Sequence, residues 1–265
     1  MAARAIWKAV LNVGGAAVPV KMYSAVQDRA VHFNILESKT KTRVKQHMIN
    51  PVSGKESPKE EIQKGYEIDR GRFVILDDAD LEAVAPAPSR DIDVAEFVPA
   101  GQITHQWYER PYYLGPDGND EAYFALADAL DNRKREGFAR WVMRGKHYIG
   151  ALRPSEGYLM LITLRHSDEV LSARDLPQPG GRALDEREIK MAQQLIAALE
   201  DDFRPQDFHD EYRERVLNYI EQKAKGQKPK LVAITQKKPA EESLTDVLAA
   251  SLQAAREQGR RKRVA

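Results

Sequence analysis

Apolar and polar residues alternate on both sides of Gly14-Gly15, and no other stretch constrains the fold as tightly. Trp7, Ala9, Leu11 and Val13 share one parity; Lys8, Val10 and Asn12 share the other. After the glycines, Val18, Val20 and Met22 lie on one face and Lys21 and Tyr23 on the opposite one. A period of two is that of a half-buried strand, and a Gly-Gly pair between two such runs is a hairpin turn. Pro19 lacks an N–H for the ladder and points to an edge or a bulge near the turn. Each arm carries one lysine, and each lysine faces away from the apolar side.

The alternation returns later in the chain. Residues 30–36, 72–78, 91–98, 107–116, 139–154 and 157–164 are expected as strands. A short helix with an Asp cap is expected over 78–84, and a longer one opens at 121, with Tyr123, Leu126, Ala127 and Leu130 on one face. Consecutive strands with one inserted helix imply an α+β chain, mainly β, built on an antiparallel barrel or sandwich. Between the third strand and residue 66 lies a polar, turn-rich segment, read as a long exposed arm. Lys39, Lys41, Arg43 and Lys45 recur there at every second residue, which on an extended chain places four cations on one edge.

From residue 185 the period becomes helical. Ile189, Leu195, Leu199 and Phe203 form one apolar stripe, and Tyr212, Val216 and Ile220 form another. These helices can pack on a partner subunit or back on their own barrel. Residues 227–242 read as a Lys/Pro linker. A short amphipathic helix follows over 243–258, with Ser243 as its cap and Leu244, Val247, Leu248 and Leu252 along its stripe. A helix of that length is marginal alone in water and is expected to fold on something.

Composition excludes several chemistries. There is no cysteine among the 265 residues, so disulfides, thiolate zinc sites and cysteine nucleophiles are ruled out. No apolar run approaches a membrane span, and Lys8 and Asn12 interrupt the run that a signal peptide would need. No phosphate-binding loop, dinucleotide fingerprint, nucleophile elbow or HExxH motif occurs. The six histidines lack metal-ligand spacing. Asp77, Asp78, Asp80 and Glu82 could hold a divalent metal, but acids at a helix start also favour the positive end of its dipole, and that reading is preferred. The net charge of +1 conceals blocks: residues 71–131 hold 3 basic and 13 acidic residues, while 132–153 hold 7 basic and 1 acidic. Arg133, Lys134 and Arg135 open that second basic block, which also contains Trp141 and Tyr148, a combination suited to nucleic acid.

In order along the chain, RAIWKAVLNVGGAAVPVKMYSA, VHFNIL, NPVSGKE, IQKGYEIDRGRFVILDDADLEAV, RPYYLGPDGNDEAYFALADAL and LRPSEGYLMLITLRHSDEV resemble bacterial Ku, the DNA-end-binding family of non-homologous end joining. The departures are local: Ala9 and NVGGAAVPV replace the family's usual glycine and more apolar turn, and residues 39–47 differ from the commoner version. The resemblance implies a homodimer whose barrels and bridging arms ring duplex DNA without reading sequence, with no catalytic site and no cofactor. It further implies recruitment of an ATP-dependent DNA ligase, and a cytoplasmic, nucleoid-associated location. It divides the chain into a barrel core over 1–180 with its bridge at 37–66, a dimerisation arm at 181–226, the linker, and a C-terminal helix with basic tail at 243–265. On that expectation Lys8, Lys21, Lys39, Lys41, Arg43, Lys45, Lys55, Arg133, Lys134 and Arg135 meet phosphate. Ile189, Leu195, Leu199, Tyr212 and Val216 meet the partner subunit, and Leu244, Val247, Leu248 and Leu252 meet the ligase. A general architectural DNA binder that does not encircle its substrate is the alternative, with a metal-dependent nuclease or a protein scaffold further removed.

Overall fold

The computed structural model describes residues 4–178, 180, 183, 185–227 and 247–254. Seven strands close into a barrel: β1 (Trp7–Val13), β2 (Ala16–Ser24), β5 (Asp91–Pro99), β6 (Tyr108–Pro116), β7 (Arg135–Met143), β8 (Lys146–Ser155) and β9 (Tyr158–Leu164). Their order around the barrel is β1-β2-β6-β9-β8-β7-β5, and closure comes from a parallel pairing of β1 with β5. The remaining strands, β3 (Lys64–Asp69) and β4 (Arg72–Leu76), form a separate two-stranded sheet. Helix α1 spans Asp78–Val84 and α2 spans Asp120–Arg133.

The alternation predicted around Gly14-Gly15 is the alternation of the barrel wall. Ala9, Leu11, Val18, Val20 and Met22 are buried inside, joined by Ile92, Leu114, Trp141, Leu152, Leu159 and Leu161. Burying each large side chain of this kind contributes about 1.5–3 kcal/mol. Helix α2 adds Tyr123, Ala127 and Leu130 to the same core. Tyr123 is fully buried, and its hydroxyl donates to the Leu114 carbonyl while accepting from the Leu159 N–H at 2.8 Å, tying α2 to β6 and β9. Burial pushes its phenol above the usual range, so it stays a neutral donor. Gly150 leaves room for the Trp141 ring: a Cβ there would lie 2.7 Å from both the indole and the Ile162 carbonyl. Glu136 is the one acid in the β7 wall below 2 % exposure; the Tyr108 hydroxyl donates to it at 3.1 Å and Arg153 lies 3.6 Å away.

Two predicted boundaries move. Residues 30–36 are not a strand; only Leu36 bridges, to Arg43, because no neighbouring strand is in place to ladder with the rest. Helix α2 ends at Arg133, and Lys134 after it takes a left-handed φ of +50°, so β7 begins at Arg135 rather than 139.

The chain divides into two compact units, one of residues 1–29 and 34–175 and one of residues 30–33 and 176–265. In the second, α3 (Glu186–Leu199) starts with a reciprocal capping box between Asp185 and Glu188. Helix α4 (Glu211–Ala224) is capped by Asp210, whose side chain accepts from the Arg213 N–H at 2.9 Å. Residues 247–254 are helical.

Candidate nucleic-acid interface

Lys8 and Lys21 stand directly opposite each other on the outer face of β1 and β2. Like charges in that position repel. The structure resolves the conflict with Asp117, in the turn after β6, which bridges Lys8 at 2.9 Å and Lys21 at 2.7 Å. The turn itself is pinned by the Asp117 N–H, which donates to the Pro19 carbonyl at 3.0 Å. Hydrogen bonds from Lys21, then from Lys8, hold the Asp117 carboxyl below the usual carboxylate range, and the same contact raises Lys21. The sequence marked the turn but not this role; the signal was an acid in a turn facing two in-register lysines.

The arm leaves the barrel after β2. Its first turn is closed by the Leu36–Arg43 bridge, with the Glu37 N–H donating to the Thr42 carbonyl at 2.9 Å and Lys41 at a φ of +58°. The four alternating cations therefore do not line one extended edge. Lys39 and Lys41 lie at the turn's tip and Arg43 and Lys45 on the returning limb, because the turn reverses the chain between them. A second turn is built on Asn50, whose side-chain oxygen accepts from the Val52 and Ser53 N–H groups at 2.9 and 3.2 Å. Lys55 follows it, and the Ile49–Glu56 bridge closes it. Among the described residues Lys39, Arg43, Lys45 and Lys55 make no ion pair, whereas Lys41 donates to the Ser38 carbonyl.

The arm also exposes apolar side chains. Phe73 is 56 % exposed and Ile75 59 %, both on β4; Tyr66 on β3 and Ile35, Met48 and Val52 in the turns are exposed as well.

Arg133, Lys134 and Arg135 sit where α2 passes into β7. Helix α2 has 14 residues, which puts this cluster about 20 Å from the helix start beside Asp117. Lys134 pairs with Asp131 at 2.9 Å, while Arg133 and Arg135 make no ion pair among the described residues. So the predicted cations fall into three separate groups: the Asp117 pair, the arm, and the end of α2.

The acids near Asp77 form a helix cap: the Asp80 N–H donates to Asp77 at 2.8 Å, and the Asp77 N–H donates back to Asp80 at 3.0 Å. Lys64 pairs with Asp78. Among the described residues no three histidines or acids cluster for a metal ion, and no helix is long and apolar enough to cross a membrane.

Of the residues expected at a partner subunit, Ile189, Leu199 and Tyr212 are exposed and Leu195 and Val216 half-buried. Phe203 and Phe208 stack with ring centroids 5.6 Å apart, and both are exposed. Of those expected at the ligase, Val247 is exposed and Leu248 and Leu252 half-buried; Leu244 lies outside the described residues.

A closed barrel whose sequence is interrupted by a basic, apolar-faced arm defines a class of protein by its architecture. The model of the Ku70/Ku80 beta-barrel domain matches residues 12–191, and the chain belongs to the Ku family. It is 37 % identical to the non-homologous end joining protein Ku 2 of Geotalea uraniireducens, over 95 % of this chain and 98 % of that protein. Its identity to the non-homologous end joining protein Ku of Anaeromyxobacter sp. is 37 %, over 97 % and 88 %. With the protein of the same name from Archaeoglobus fulgidus it is 34 %, over 95 % and 99 %.

Proposed function

We propose that the chain binds broken ends of double-stranded DNA in non-homologous end joining, as a homodimer whose barrels and arms close a ring. The arm carries this reading: it presents unpaired cations together with apolar side chains that have no cover within the described chain. The cations fit phosphate, and contacts to phosphate do not read sequence. The apolar faces of β3 and β4 fit a second copy of the same arm, and Ile189, Leu195, Leu199, Tyr212 and Val216 offer the second copy further apolar surface. Arg133 and Arg135 add charge at the end of α2. Lys8, Lys21 and Lys134 already have acid partners, so each contributes less than a free cation. The protein acts by holding ends rather than by catalysis, and Leu244, Val247, Leu248 and Leu252 receive an ATP-dependent DNA ligase. The family membership and the names of the relatives support the repair assignment.

A ring around a duplex can load only where the duplex ends. A mobility-shift comparison of one DNA sequence, linear and covalently closed, at matched salt, tests this. Binding to the linear form alone, with more copies on longer pieces, is expected. Equal binding to both forms would transfer the protein to the architectural binders.

A further inference from the structure

The β7–β8 turn contains a residue that its backbone does not favour. Met143 pairs with Lys146, so Arg144 and Gly145 are the two loop residues, and both have positive φ, +52° and +72°. Such turns select Asn, Asp or Gly at both loop positions. Gly145 obeys that rule and Arg144 does not. A long side chain kept in a sparsely populated backbone region is a motive to look for what the side chain does.

Arg144 lines a cleft of about 400 Å³ together with Trp7, Ser89, Arg90, Met143 and Gly145. That volume is within the range of small-molecule sites. The two guanidinium groups make no ion pair among the described residues. The nearby acid, Asp91, is not part of the lining and is engaged elsewhere: Ser89 donates to it at 2.8 Å and Asn12 at 3.3 Å. Trp7 packs one side against the barrel core and is only partly buried. The cleft thus offers an indole surface, a buried methionine wall and two unpaired planar cations.

We propose that this cleft binds a nucleoside monophosphate unit, with the base against Trp7 and the phosphate between Arg90 and Arg144. Base–indole stacking is tolerant of base identity, and guanidinium groups match phosphate oxygens in pairs. The same chemistry has two sources: a free nucleotide, or an unpaired nucleotide at the end of a DNA strand. The second source rests on the end-binding reading above; the first does not.

Calorimetric titration of the full-length protein with dAMP, deoxyadenosine and inorganic phosphate tests the site. dAMP is expected to bind at least ten-fold more tightly than either fragment. No binding of dAMP, or phosphate binding as tightly as dAMP, would overturn the proposal. The variant Arg144→Asn gives the turn a residue it favours, so it should keep or raise the melting temperature while weakening dAMP ten-fold or more; Arg90→Gln should also weaken it. Unchanged dAMP binding in both variants would overturn the site. Blunt duplexes and duplexes with single-stranded 3′ ends then separate the sources. A several-fold preference of the wild type for overhangs, lost in Arg144→Asn while blunt-end affinity stays within about three-fold, assigns the cleft to strand ends. dAMP binding without that preference assigns it to free nucleotide. If no DNA end is bound at all, the ring reading fails, and the dAMP titration still decides the cleft.

Discussion

The barrel and the arm are built from similar residues and use them in opposite ways. Leu114, Ile92 and Leu161 in the barrel are wholly buried, whereas Phe73 and Ile75 in the arm remain more than half exposed. In the barrel each strand has a partner on both sides, and α2 fills what the strands leave. The β3–β4 pair has two edges, and all of its residues but Leu76 are exposed on both faces. An isolated hairpin is marginal in water. The barrel therefore carries stability within one chain, while the arm leaves its apolar side chains exposed.

The largest expected effect is in the barrel. Leu114→Ala should lower unfolding free energy by about 2–5 kcal/mol in chemical denaturation, through lost burial and the cavity left behind. A loss well under 1 kcal/mol would erase the distinction between barrel and arm. Next comes charge in the arm: replacing Lys39, Lys41, Arg43 and Lys45 by Gln should flatten the dependence of log K for linear DNA on log salt by about 3–4, at nearly one unit for each phosphate no longer neutralised. An unchanged slope would remove the arm from the DNA surface. A smaller effect on the fold is expected from Phe73→Ser with Ile75→Ser. It should shift sedimentation from dimer toward monomer and change monomer stability by no more than about 0.5 kcal/mol. A monomer–dimer balance that stays put would mean the exposed face serves another partner.

The smallest effect concerns the lysine pair. Asp117 is held below its ordinary range, so its contribution to stability is present above that range and is lost as pH falls through the lowered value. Asp117→Asn should therefore melt slightly below the wild type near neutrality and converge with it in acid. Parallel pH profiles of the two proteins would show that the bridge contributes nothing.

What could be read from the sequence follows the same division. The barrel strands were legible because burial on one face imprints a period of two, as in Val18, Val20 and Met22. The stretch 30–36 carries some of that period without a ladder, and alternation cannot report whether a neighbouring strand exists. The edge of cations at 39–45 failed for a related reason: spacing gives parity only while the chain stays extended, and Glu37, Thr40 and Thr42 close a turn across it. Asp117 and the Arg90–Arg144 cleft depend on contacts between segments far apart in the chain, so no local pattern announces them. The assignment of residues to a partner subunit and to a ligase rests on resemblance rather than on periodicity.

The arm is an excursion between two strands that flank β1. β2 lies against β1 with Met22 opposite Trp7, and β5 joins it with Asp91 opposite Val10, so residues 25–90 depart on one side of β1 near its start and return on the other side at its middle. Two strand spacings across the sheet and three residues along it put Met22 and Asp91 about 14 Å apart. The seam thus closes a loop whose ends are fixed regardless of its length. Doubling a flexible loop costs only about 0.6 kcal/mol in closure entropy. Insertions, deletions or grafts in the arm would therefore leave the barrel's folding equilibrium almost untouched, and the exposed excursion can be resized without renegotiating the scaffold.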